Sequence, residues 1–234
     1  MIGYRRMILL YGENTVASRD ELTKLLTASK AEGHEVIRLE AKKLTQAELE
    51  TVLGETDLFG TNKTIVIEGL HSLPKSKKKN ELIALLTQPS DHSIILWEKR
   101  SLTKAMLNQF PSARATEFKM SNLLFNWLDA FGATDQKNSA LQNLHKAFKK
   151  DGEYLCFIML IRQIRLLLLA KTGGTIKGPP FMVTKYSSQA RRFSTEQLLA
   201  LHTHLTELDE KTKVSQTTLT LQSQLDLLTL GVYI

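Results

Sequence analysis

The pattern of this chain changes once, near residue 118, and that change limits the folds open to it. Up to that point short β-type runs (7–11, 35–39, 64–67, 93–97 and 115–118) alternate with helical patterns, each run bounded by polar or glycine-containing segments. Strands alternating with helices predict a mainly parallel sheet covered on both faces. Beyond it only helical spacing remains, over 121–131, 138–149, 154–171, 181–191, 194–213 and 218–232. The breaks between these helices are Gly132, Asp151-Gly152, Gly173-Gly174 and Gly178-Pro179-Pro180. The expected class is α/β plus all-α, with an α/β domain over 1–120 and an all-helical domain over 121–234.

Helix starts are legible in three capping-box pairs, Ser18 with Glu21, Thr45 with Glu48, and Ser194 with Gln197. Gly33 is placed to end the first helix. A chain of 234 residues has room for two such domains, and 42% hydrophobic with 24% charged residues is the balance of a globular protein rather than a disordered one. The apolar stretch 154–170 is cut by Arg162, Gln163 and Arg165, so it reads as a helix buried on most of its circumference and not as a membrane span. The N-terminus lacks the features of a signal peptide. The single cysteine, Cys156, lies among Leu155, Phe157 and Ile158 and reads as a buried structural thiol. That usage suits a reducing cytosol.

The first strand, loop and helix invite a search for a phosphate-binding loop. Gly12-Glu13-Asn14-Thr15-Val16-Ala17-Ser18-Arg19 lacks the second glycine and the Lys-Ser/Thr pair that cradle phosphate and magnesium, and Glu13 repels an anion there. No dinucleotide fingerprint is present. None of the six histidines stands at a metal-ligand spacing from a cysteine or carboxylate, and no nucleophile elbow occurs. Catalytic residues, metal ligands and cofactors are therefore not expected.

Two features remain for binding. Leu58 and Phe59, in Thr56-Asp57-Leu58-Phe59-Gly60, put two large apolar side chains on a connection, where they either fold back over the core or project as a wedge for another protein's pocket. Lys75, Lys77, Lys78 and Lys79 cluster on a proline-containing loop after Leu73-Pro74, either as a solvated loop or as a patch that contacts phosphates. The net charge of +7 permits the second reading without establishing it. Arg191 and Arg192 read as DNA contacts or as cations complementing a helix C-terminus.

Taken in order, several segments resemble the delta subunit of the bacterial DNA polymerase III clamp loader. They are Ile8-Leu9-Leu10-Tyr11-Gly12-Glu13, Leu58-Phe59-Gly60 followed by the run from Lys63 to Ile67, and the run from Ser93 to Trp97 with Lys99 and the Lys104 helix. In the second half they are Phe125-Asn126-Trp127-Leu128-Asp129-Ala130, the Ile161-Arg162-Gln163-Ile164-Arg165-Leu166-Leu167 helix, and Gln189-Ala190-Arg191-Arg192-Phe193-Ser194. No single one is as specific as a metal signature, but their order spans nearly the whole chain.

The resemblance implies an AAA+-like parallel sheet domain without a phosphate loop, followed by a collar-type helical domain. It also implies a subunit that binds and does not hydrolyse ATP. Leu58 and Phe59 match the pair that inserts into the sliding clamp (beta) and opens it, with Thr56 and Asp57 flanking. The helical domain joins other clamp-loader subunits, of gamma/tau and delta-prime type, with Leu155, Ile158, Arg162 and Arg165 as candidate interface residues. DNA is reached through the assembled complex, with Lys75, Lys77, Lys78 and Lys79 as candidate contacts. The setting is the cytoplasm, with no membrane. The chain departs from the family in one respect: the collar-like segment follows the last strand almost at once, so the small helical lid domain usual between them is expected to be missing. The second reading, from the charge, is a basic protein that binds primed or duplex DNA without opening a clamp.

Overall fold

Five consecutive apolar residues need cover on both sides, and β1 (Met7–Tyr11) is buried along its whole length. The computed structural model describes residues 7–54, 63–214, 216 and 218–232. β1 lies within a sheet with β2 (Glu35–Glu40), β3 (Lys63–Glu68), β4 (Ser93–Glu98) and β5 (Arg114–Glu117), all pairings parallel, in the order β2-β3-β4-β1-β5. In register, Leu9 faces Leu96 on one side and Ala115 on the other, and Ile65 stands between Ile37 and Ile94. The interior strands are buried almost throughout, whereas the edge strands β2 and β5 expose about every other residue or more.

The connecting helices are α1 (Thr15–Ala31), α2 (Gln46–Gly54), α3 (Lys77–Thr87) and α4 (Lys104–Leu107). The step from β1 to β2 runs toward one edge of the sheet, and every later step runs toward the other. Because parallel crossovers are right-handed, α1 must take one face and α2 to α4 the opposite face. The two cores are built that way. Leu22 and Leu26 of α1 pack with Ile8, Leu10, Val66, Ile95 and Trp97. Leu49 of α2 and Leu82 and Leu86 of α3 pack with Leu9, Ile65, Ile67, Ile94 and Leu96.

Two of the three capping pairs form as expected. Glu48 accepts from the Thr45 amide at 2.7 Å while Thr45 Oγ1 accepts from the Glu48 amide at 3.2 Å, and Ser194 and Gln197 make the same reciprocal pair. Ser18 does not cap. Asn14 takes the Ala17 amide at 3.0 Å and starts α1 a full turn earlier, leaving Ser18 buried inside the helix, where its hydroxyl accepts from Trp97 Nε1 at 3.1 Å. At the other end of α1, Gly33 at φ 82° lets the His34 amide reach Ser29 O and its own amide reach Lys30 O, both at 3.0 Å.

The chain divides into two compact units after Lys119. Only residues 118–121 separate β5 from α5 (Asn122–Ala130), so no helical module stands between them. The second unit continues with α6 (Lys137–Asp151), α7 (Glu153–Lys171), α8 (Pro180–Ala190), α9 (Thr195–Lys213) and α10 (Leu221–Leu230). This is the α/β plus all-α class expected, the parallel sheet first and the helices after it.

α7 touches every other helix of its unit. Leu155, Phe157, Leu160, Ile164 and Leu167 fill the core around it, and no helix among the described residues is long and apolar enough to cross a membrane. Trp127 is fully buried against α10, its Nε1 donating to Thr229 Oγ1 at 2.9 Å. Phe131 stacks on Phe193 at 6.1 Å, and a Cβ on Gly132, whose φ is 77°, would lie 2.0 Å from that Phe193 ring. Asp129 is a hub: its carboxylate accepts from Lys185 Nζ at 2.6 Å and from Gln189 Nε2 at 3.1 Å.

Cys156 is fully buried, and burial together with the Asp151 carboxylate pushes its thiol up to about 12. At pH 8 the thiolate is then about one part in ten thousand, and it is the thiolate that reacts. Alkylation at that pH is expected to be undetectable in the native chain and complete after denaturant. Rapid modification of the native protein, read by mass spectrometry, would show instead that the helical unit opens readily.

Candidate functional site

In open parallel sheets ligands bind beyond the C-terminal ends of the strands. The first such place is the turn from β1 to α1. Four of its backbone donors are already engaged: the Gly12 amide donates to Arg100 O and the Asn14 amide to Phe118 O, both at 3.0 Å, Thr15 donates to Glu13 O at 2.9 Å, and Ala17 to Asn14 Oδ1. A phosphate there would have to displace the chain's own oxygens. Gly12 stands at φ 131°, and a Cβ on it would lie 2.2 Å from Phe118 O, so close approach of backbone and not a phosphate explains this glycine.

The end of β4 carries a buried polar cluster. Glu98, with no exposure, accepts from the His71 amide, from Ser72 Oγ at 3.2 Å and stands 3.3 Å from His71 Nδ1. Lys79 closes it. Its Nζ donates to His71 O and Leu73 O, both at 2.9 Å, and burial lowers its pKa although the Glu98 charge opposes that shift. Trp97 beside them is itself buried, with Arg19 and Lys99 stacked over its ring at 4.5 and 4.9 Å.

The lysine cluster departs from the expected loop. Ser76 accepts from the Lys79 amide and starts α3, which places Lys77, Lys78 and Lys79 in its first turn and leaves only Lys75 on the loop. Lys79 faces inward and is spent on carbonyls, so it is withdrawn from DNA contact. Lys77 pairs with Glu81 at 3.6 Å, and Lys78 donates to Lys42 O at 3.0 Å. Lys42 and Lys99 line a cleft of about 630 Å³ with Glu40, Glu68, Gly69 and Pro74. Lys99 enters the sequence reading only within the segment that follows the Ser93 to Trp97 run and Lys42 not at all, because the two follow different strands and meet only through the sheet order.

In the helical unit the four candidate interface residues separate. Leu155 is buried in its own core, whereas Ile158, Arg162 and Arg165 are exposed on one stripe of α7 with Tyr154 and Leu169. The spacing of that stripe follows the helical period. Arg192 donates to Asp129 O at 2.6 Å and Phe131 O at 3.0 Å, so it complements the C-terminus of α5 rather than of its own helix. Thr56, Asp57, Leu58 and Phe59 lie outside the described residues. Among the described residues no group of three or more metal-ligating side chains occurs.

Residues 121–230 match the family of the DNA polymerase III delta subunit, C-terminal domain. Solved structures similar to the chain include a DNA clamp loader delta protein of Bacillus subtilis, at 14% identity and a TM-score of 0.49, covering 98% of this chain and 95% of that one. Another is a DNA polymerase III gamma subunit-related protein of Thermotoga maritima, at 12% identity and a TM-score of 0.37, covering 99% and 95%. No curated protein matches the chain.

Proposed function

We propose that the chain is a non-catalytic clamp-loader subunit of the DNA polymerase III delta type that binds the sliding clamp and opens it. The match over residues 121–230 is the observation that carries this reading. In it, Leu58 and Phe59 insert into a pocket of the clamp with Thr56 and Asp57 beside them. The helical unit holds the chain to gamma/tau and delta-prime type subunits through the exposed stripe of α7, with Ile158, Arg162 and Arg165 and without Leu155. Exposed apolar side chains such as Tyr154, Ile158 and Leu169 suit a face that a neighbouring subunit covers.

ATP hydrolysis is left to those partners. The turn after β1 supports this, since the amides of Gly12, Asn14, Thr15 and Ala17 already donate to the chain's own oxygens and it lacks the phosphate-binding sequence. The complex acts in the cytoplasm. The test is capture of the host's sliding clamp by the purified chain, with and without the ATPase subunits. Clamp capture by the chain alone is expected. Absence of capture under both conditions, or ATP turnover by the chain alone, would overturn the reading.

A further inference from the structure

Among the described residues β2 ends the sheet on one side, so only one of its flanks is paired. The Ala41 amide donates to Glu68 O on β3 at 3.0 Å, which turns the backbone groups of Ile37 and Leu39 toward β3 as well, because successive residues of a strand offer their amides and carbonyls to opposite flanks. By the same alternation the N–H groups of Val36, Arg38 and Glu40 and the carbonyls of Val36 and Arg38 point to the other flank. Among the described residues nothing outside the sheet bonds to any of them, whereas Glu40 O is taken by the Lys43 and Leu44 amides. The edge is also regular: β2 pairs with β3 over six consecutive residues without a bulge, and it contains no proline.

A cleft of about 610 Å³ opens between β2 and α2, with Leu39 from the strand, Leu44 from the turn after it, and Ala47, Thr51 and Val52 from α2 along its walls. Leu39 and Val52 are half-buried over the core, while Ala47 and Thr51 are exposed. The opposite face of β2 differs. Val36 packs against the core beneath α1, and Arg38, on the same face by alternation, is exposed with no ion-pair or hydrogen-bond partner among the described residues. The other charges around the cleft are committed: Lys43 pairs with Glu40 at 2.9 Å, and Glu48 caps α2.

We propose that β2 accepts an extended segment of a partner protein as an added strand, with aliphatic side chains in the cleft on the α2 side and an acidic side chain beside Arg38 on the other. The form of the ligand follows from the backbone, because donors and acceptors that alternate along one flank are satisfied by an extended chain. Its sequence follows from the two faces. Alternate side chains of an added strand point to opposite sides of the sheet, so aliphatic residues meet the apolar cleft and acids meet the unpaired guanidinium at every second position. The opposite edge lacks the aliphatic half of such a site: β5 is four residues long and carries Arg114, Ala115, Thr116 and Glu117. The inference involves neither Leu58 nor Phe59 and stands whether or not the chain opens a clamp.

The test is fluorescence anisotropy of the full chain with a labelled, end-capped peptide of about eight residues that alternates leucine with aspartate. Saturable binding is expected. In an added strand the amides of one alternate set of residues face β2 and those of the other set face away, so methylating the nitrogens of the leucines and of the aspartates in separate peptides gives unequal results. One set is expected to weaken binding at least about tenfold and the other to stay within about threefold. Arg38→Glu is expected to weaken the parent peptide about fivefold and to recover binding when lysine replaces aspartate in the peptide. Thr51→Trp, which fills the cleft from an exposed helix position, is expected to abolish binding. Arg114→Glu removes the same charge from the opposite edge and is expected to stay within about twofold. No saturable binding up to about 1 mM peptide, equal weakening by the two methylated sets, or equal weakening by Arg114→Glu and Arg38→Glu would each overturn the proposal. So would a chain that light scattering shows to be a dimer and that Thr51→Trp makes monomeric, since a second copy would then occupy the edge.

Discussion

Replacing Leu58 and Phe59 together by alanine is expected to weaken clamp binding by roughly a hundredfold to ten-thousandfold while moving the thermal midpoint of the chain by only a few degrees. The estimate starts from area. Two side chains of this size, fully desolvated in a partner's pocket, supply roughly 3 to 6 kcal/mol of gross contact energy, and every 1.4 kcal/mol is about tenfold in affinity. Anchors of that kind dominate interfaces, so each single variant is expected to account for a large part of the loss. The two measurements must be made together, because the same residues could serve the chain's own core. A fall of more than about ten degrees in the midpoint, with clamp binding lost only in proportion to the unfolded fraction, would show that the pair is core and remove the wedge from the proposal. Salt gives an independent check: apolar insertion into the clamp should change little with ionic strength, because no charge pair carries it.

The elements of the fold were legible because most of them rest on local signals. Alternation of apolar runs with helical spacing marks all five strands, and Thr45 with Glu48 and Ser194 with Gln197 fix helix starts because both halves of a capping box lie three residues apart. Ser18 misleads for a physical reason. A serine and a glutamate three residues apart have the form of a cap, yet Asn14 offers the better one and Trp97, 79 residues away, needs the serine hydroxyl. Non-local contacts hid the rest. Nothing near Lys79 predicts that its ammonium is turned into the His71 and Leu73 carbonyls, and nothing near Lys42 predicts that it meets Lys78, since strand order decides both. In the helical unit, 3.6-residue spacing identifies α7, but which of its residues face neighbouring helices depends on five packing partners, and so Leu155 parted from Ile158, Arg162 and Arg165.

The chain has one tryptophan in each unit, Trp97 on β4 and Trp127 on α5, and this makes the stability of the two units separately measurable. Trp127→Ala is expected to cost the helical unit about 3 to 5 kcal/mol, because it removes a fully buried indole and leaves a cavity lined by a packed core. For a unit of this size that is a drop of roughly 10 to 25 °C in its midpoint. Thr229 loses a donor, yet its hydroxyl still donates to Leu225 O at 2.7 Å, so the polar penalty is small beside the cavity. Trp127→Phe fills most of that space and is expected to cost much less. Two signals follow the outcome in Trp127→Ala: far-ultraviolet circular dichroism weights the helical unit, and the remaining fluorescence comes from Trp97 alone. Because Trp97 packs in a core with α1 and its own strands, its transition is expected to stay near that of the parent while the helical signal melts early. Coincident early transitions would show instead that the units unfold as one. At a temperature between two separated transitions the functional halves come apart as well. Clamp capture through Leu58 and Phe59 should then survive, and assembly with the partner subunits through α7 should be lost.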